Sequence, residues 1–210
     1  MKKIFLLLLC GLCLMSTALA EPGNGAEALP PFDGWELAGD LLPALRQEEA
    51  VYSAPDGKAV PLSEVTSEYT GEAMPFDRIA LADVDLDGTL EAVLAFPLSE
   101  VDTGYLVLDW LEGRVTAYEV VSRAMMDLKA DGTFSYSSGA MDSGFGFLAF
   151  DGQAQKVVPV TWCETGPAGD AQYFMDGSPA DEADFLHALD VQAERPSALW
   201  QSFTLGAAAP

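Results

Sequence analysis

Positive charge is what this chain has least of. Its 210 residues carry 10 Lys and Arg against 33 Asp and Glu, for a net charge of -23. So acidic a surface repels phosphate backbones and anionic headgroups, which argues against nucleic acid and membrane partners and favours a cation or a basic partner. Histidine is almost absent: His187 stands alone, which excludes a histidine-built zinc site, and no cysteine cluster replaces it. Cysteine is nearly as scarce. Two of the three, Cys10 and Cys13, fall in a segment ordered like a secretory signal: Lys2 and Lys3, an apolar run from Ile4 to Met15, then Ala18-Leu19-Ala20. Each follows a leucine, not the small residue that lipid attachment requires. The expectation is export, with residues 1–20 removed by cleavage after Ala20 and no membrane attachment afterwards. Only Cys163 then remains, so no intramolecular disulfide can form in spite of an oxidising destination.

Familiar catalytic signatures are missing as well. There is no G-x-S-x-G elbow, no glycine-rich phosphate loop ahead of a helix and no repeat at a solenoid period. Cys163 closes the apolar run that begins at Lys156, where a buried, inert thiol is expected. Its pairing with His187 as nucleophile and base has no local signature to support it.

What the chain does have is apolar residues, 50% of the total, enough to build a core. Residues 21–34 (EPGNGAEALPPFDG) lack periodicity and read as a flexible linker. Residues 35–210 read as a single α+β domain, in which 35–52 has roughly helical spacing of leucines. Strands are expected at 78–82, 92–96, 105–110, 115–121, 133–136, 145–150, 156–162 and 172–175, with Glu112-Gly113, Asp131-Gly132 and Asp151-Gly152 as turns. A helix over 178–193, capped by Ser178, presents Phe185, Leu186, Leu189 and Val191 on one face. Short connections favour antiparallel pairing. The fold class is therefore α+β: a mainly antiparallel, meander-type sheet with an N-terminal and a C-terminal helix. Trp110 and Trp162, set among aliphatic strand residues, are assigned to the core, whereas Trp35 and Trp200 are left open.

One stretch carries chemistry. Asp83-Val84-Asp85-Leu86-Asp87-Gly88-Thr89-Leu90-Glu91 sets carboxylates at positions 1, 3, 5 and 9 around a central glycine. A hard cation such as Ca²⁺ takes six to eight oxygens, and a looping backbone turns alternate side chains inward. Without a cation, four carboxylates in one short loop repel one another. An EF-hand closes with Glu at position 12 and is flanked by helices; here that position is Leu94 and both flanks read as strands.

The segment resembles the calcium loop of FG-GAP, or integrin-type, repeats, an Asp-rich turn between two β-strands. The resemblance implies Asp83, Asp85, Asp87 and Glu91 as side-chain ligands and Thr89 as a backbone ligand. Leu86 stands where such loops carry Gly or Asn, and a single copy gives no support to a propeller. A longer resemblance, over roughly 78–185, is to small secreted or lipid-anchored proteins of Gram-positive bacteria. It lies in the loop and in Arg123-Ala124-Met125-Met126-Asp127-Leu128, Asp131-Gly132-Thr133-Phe134-Ser135 and Tyr173-Phe174-Met175-Asp176-Gly177. The sequence thus points to a secreted protein with a structural Ca²⁺ loop, an extracellular module that binds a protein or a glycan. The alternative is an extracellular hydrolase that uses a carboxylate pair on a wall or glycan polymer.

Overall fold

The apolar run Glu91–Pro97 does not alternate because both of its faces are covered. Ala92, Leu94 and Phe96 enter one hydrophobic cluster and Val93 enters another, and every residue of the run except Pro97 is buried. A strand with two buried faces reads as a continuous hydrophobic stretch. The computed structural model describes residues 35–139 and 142–205, so the expected signal peptide (1–20) and linker (21–34) lie outside the described residues.

Two sheets are built around that strand. Along the chain come a short helix α1 (Leu42–Leu45), β1 (Val51–Ser53), β2 (Ala59–Val60), β3 (Arg78–Ala82), β4 (Glu91–Pro97), β5 (Thr103–Leu111) and β6 (Arg114–Val120). Then follow β7 (Phe134–Ser137), β8 (Ser143–Phe150), β9 (Gln155–Thr165), β10 (Ala171–Met175), β11 (Ser178–Ala180), helix α2 (Glu182–Glu194) and β12 (Gln201–Ser202). The first sheet has the order β12-β3-β4-β5-β6-β1-β2 and the second β11-β10-β9-β8-β7. All pairings are antiparallel except β1 with β6.

Strands β3 to β10 are the eight read from the sequence, and they form two meanders rather than one. The protein is mainly β, with few helices. One cluster gathers Ala38, Leu41, Leu45, Leu62 and Phe76 under the outer face of the first sheet. The second lies where the sheets meet, with Ala82, Val93 and Val107 facing Phe134 and Leu148. There the Tyr118 ring stacks on Phe150 with centroids 4.4 Å apart.

The terminal helices need correction. Residues 35–52 are not one helix: a 3-10 segment, Trp35–Leu41, breaks at Gly39 (φ 51°, ψ -124°), α1 lasts a single turn with Pro43 near its start, and β1 begins at Val51. Proline suits a first helical turn but not an interior one, so the leucine spacing could not extend through it. Nor does α2 begin at Ser178. The backbone reverses at Asp176 (φ 47°) and Gly177 (φ 76°), so that Ser178–Ala180 pairs with β10 as β11. Asp181 is the cap, accepting the Asp184 N–H at 2.8 Å. Helix α2 is not terminal either, because the chain goes on to pair β12 with β3. Its apolar side is narrower than expected: Phe185 is buried, while Leu186 and Val191 stay exposed. Among the described residues no helix is long and apolar enough to cross a membrane.

The far end of α2 is fastened to the 127–133 turn. Buried Lys129 donates to the Ala193 carbonyl at 3.0 Å and pairs with Asp127 at 2.8 Å, placing a cation at the negative end of the helix. Gln192 Nε2 donates to Thr133 Oγ1 at 2.9 Å, and Arg195 donates to Asp131 at 2.8 Å. Asp131 also accepts the Thr133 N–H and hydroxyl; these bonds and Arg195 outweigh its burial and hold its carboxyl below the usual range.

Candidate metal centre

Strands β3 and β4 pair up to Ala82 opposite Glu91, so the aspartate-rich segment is the connection of an antiparallel hairpin. Its conformation is written in hydrogen bonds from its own amides. Asp83 accepts from the Asp87 and Gly88 N–H groups, each at 3.0 Å, and Asp85 from Asp87 N–H at 3.2 Å. Such side-chain-to-backbone bonds are what make Asp a turn residue. Two positions bend the backbone left-handed: Gly88 (φ 95°) and Leu86 (φ 61°). At the second a leucine is strained, whereas Gly, or Asn with its short hydrogen-bonding side chain, adopts that angle readily. Leu86 is 46% exposed and belongs to neither hydrophobic cluster. Replacing it with Asn is expected to raise the melting temperature by about 2–4 °C, measured by calorimetry.

Of the five residues named from the sequence, the fold brings three together. Carboxylate oxygens of Asp83, Asp85 and Glu91 all lie within 4.8 Å of one another. Asp87 is turned to Thr89, accepting its N–H at 2.7 Å and its hydroxyl at 2.6 Å, and that hydroxyl also lies 3.5 Å from Glu91 Oε1. Glu91 is only 1% exposed and accepts the Val84 N–H at 2.7 Å. Burial, with Asp85, Asp109 and Asp83 adding repulsion, pushes its carboxyl up to about 8 against the pull of the Val84 hydrogen bond. Burial and then Asp87 and Asp83 likewise raise Asp85. Among the described residues no ion pair reaches the cluster. All-oxygen donors, one of them deep and lacking a cationic neighbour, are the chemistry a hard divalent cation fits.

Two neighbours escaped the sequence reading. Asp109 follows Leu108, the partner of Ala92, and so stands beside Glu91 across the β4–β5 pairing. It is 6% exposed; burial first, then Asp85 and Asp87, push it up to about 6. Directly opposite it, Thr116 is wholly buried and its hydroxyl has no hydrogen-bond partner among the described residues. The available signal was Asp109 itself, a carboxylate inside the apolar strand Tyr105–Trp110 at the same parity as inward-facing Val107.

The second sheet holds the loop from outside. The Leu148 N–H donates to the Val84 carbonyl at 2.7 Å. Gly132 comes so near that a Cβ there would lie 1.6 Å from the Asp83 carbonyl oxygen. The network from α2 through Thr133 and Asp131 therefore ends against the first residue of the loop.

Trp110, assigned to the core, is 41% exposed because it lies near the end of β5. Trp162 is half-buried, stacked on Phe174 at 4.9 Å. Cys163 is also only half-buried, with its sulfur 3.6 Å from the Ser143 hydroxyl. His187 is exposed on α2.

The chain is thus a two-sheet, mainly antiparallel protein with an oxygen-rich hairpin loop at the edge of its inter-sheet core. Comparison with protein-family models, with curated proteins and with solved structures finds no match.

Proposed function

We propose that the hairpin loop binds one Ca²⁺ through Asp83, Asp85, Asp87, Glu91 and the Thr89 carbonyl, and that the ion is structural. The observation that carries this reading is the convergence of Asp83, Asp85 and buried Glu91 within 4.8 Å with no cationic side chain paired to them among the described residues. The ion supplies the positive charge that buried Glu91 lacks, and the Asp87 carboxylate turns inward from Thr89 to join it. Glu91 also closes the β3–β4 pairing, so an ion held there ties the hairpin together in a chain where no disulfide can. The export signal read from the sequence supports an extracellular setting, where calcium is plentiful and a dissociation constant on the order of 10⁻⁴ to 10⁻³ M suffices. We read the whole as a secreted binding module stabilised by its ion.

Calorimetric titration of the chain from Glu21 onward with Ca²⁺ and with Mg²⁺ tests it. One site is expected, tighter for Ca²⁺, because Mg²⁺ demands a stricter octahedron than this loop offers. Absence of a heat signal together with an unchanged melting curve would overturn the metal reading.

A further inference from the structure

The second sheet carries a cleft that the loop does not explain. Tyr136 pairs with Gly144, and Gly144 pairs with Trp162, so two aromatic residues flank a glycine on adjacent strands. Strands lie about 4.8 Å apart, which puts Tyr136 and Trp162 roughly 10 Å from each other, and Gly144 contributes no side chain to the space between them. Glycine is obligatory at that point, since a Cβ would fall 2.0 Å from the Thr161 carbonyl oxygen. One face of Trp162 is already taken by Phe174, stacked at 4.9 Å and nearly parallel at 12°. Its other side borders the gap. The cleft encloses about 410 Å³, and Asp142 and Glu164 line it with the two aromatics.

Its two charged groups are oriented, and both are negative. Asp142 Oδ1 accepts the Thr165 N–H at 2.9 Å, and Glu164 Oε2 accepts the Trp162 indole N–H at 3.3 Å. Burial, then Cys163 and Glu164, push the Tyr136 hydroxyl up to about 12, so it stays protonated. Ring faces beside carboxylates suit a cation: the ring quadrupole and the carboxylates attract it together. A second hollow of about 490 Å³ continues past Tyr136 over Pro159 and Val157, but Arg123 lines it too, so the attraction for a cation is confined to the Trp162 end. A neutral sugar could stack here too, but it gains nothing from the net charge of -23.

We propose that the cleft between Tyr136 and Trp162 docks an arginine or lysine side chain of a basic protein partner, with Glu164 and Asp142 as its counter-charges. The proposal rests on the reading of the chain as an extracellular binding module and names the partner's chemistry. A fluorescein-labelled hexa-arginine peptide, titrated at physiological salt with and without Ca²⁺, tests it. Trp162→Leu and Glu164→Gln are each expected to weaken binding about tenfold. Glu49→Gln, which removes one exposed charge far along the chain, is expected to leave it unchanged. Glu164 is exposed, so its variant keeps the fold even if Trp162→Leu does not. Equal weakening by Glu49→Gln and Glu164→Gln would reduce the effect to diffuse attraction and overturn the proposal. So would N-acetylglucosamine hexamer binding that Trp162→Leu abolishes, since the cleft would then be a glycan site. A normal calcium response without peptide binding defeats the docking proposal alone; peptide binding without any calcium response defeats the loop alone.

Discussion

Millimolar Ca²⁺ is expected to raise the melting temperature of the chain from Glu21 onward, and a chelator to bring it down again. At 10 times the dissociation constant, binding to the native state alone contributes about 1.4 kcal/mol. For a protein of this size that corresponds to a shift of about 3–6 °C. Mg²⁺ should restore less. Asp85→Ala is expected to erase the difference between the two conditions while melting close to the chelated parent. The reason lies in the crowding of the loop: burial together with Asp87 and Asp83 already raises the Asp85 carboxyl, so removing it relieves repulsion when no ion is present. Superimposable curves for the unmodified chain with Ca²⁺ and with chelator would sink the assignment and leave the segment an acidic turn.

Gly132→Ala is expected to be the most damaging single substitution near the site, at about 3 kcal/mol or more by urea unfolding. The added methyl would sit 1.6 Å from the Asp83 carbonyl oxygen and 2.6 Å from its carbon, both backbone atoms that no rotamer change can move. The backbone there is also left-handed (φ 81°). Gly177→Ala separates the two effects. Gly177 has the same kind of angle (φ 76°), but nothing lies within 4 Å of the place its methyl would take, so it should lose only about 1 kcal/mol to backbone strain. Because the clash falls on Asp83, Gly132→Ala should weaken the calcium response as well, and Gly177→Ala should not. Equal losses in the two variants would show that the loop is not held from the second sheet.

The strands were legible wherever apolar runs stopped at Asp-Gly or Glu-Gly turns, as at Glu112-Gly113 and Asp131-Gly132, both left-handed at the glycine. Partition of the strands between two sheets was not, because it depends on which faces meet: Ala92 and Val93 are equally apolar yet enter different clusters. The short strands β1, β2 and β12 escaped for another reason. Two or three residues carry no period, and their pairing with β6, with each other and with β3 is set by the remainder of the fold. Within the loop, spacing was enough to name Asp83, Asp85 and Glu91, since alternation and a central glycine are local properties. It could not name Asp109 or Thr116, which join the site through cross-strand register. Nor could it foresee that Trp162 borders an open gap, which exists because the residue facing it across the sheet is Gly144.

The Gly132 contact limits what can be done with the loop by engineering. An autonomous cation-binding cassette keeps its ligands and its scaffold in one short peptide. Here the proposed ligands are contiguous, but their geometry is borrowed. Asp83 rests on a glycine from the β7 side, Val84 is bonded to Leu148 of β8, and Glu91 takes its burial from the sheet around it. The peptide 78–97 cut from this protein, or grafted onto a foreign hairpin, would carry every oxygen proposed to coordinate and none of the props that hold them, and so should behave as a weak, unselective acidic turn. The transplantable unit is the hairpin together with the 131–133 turn and β8.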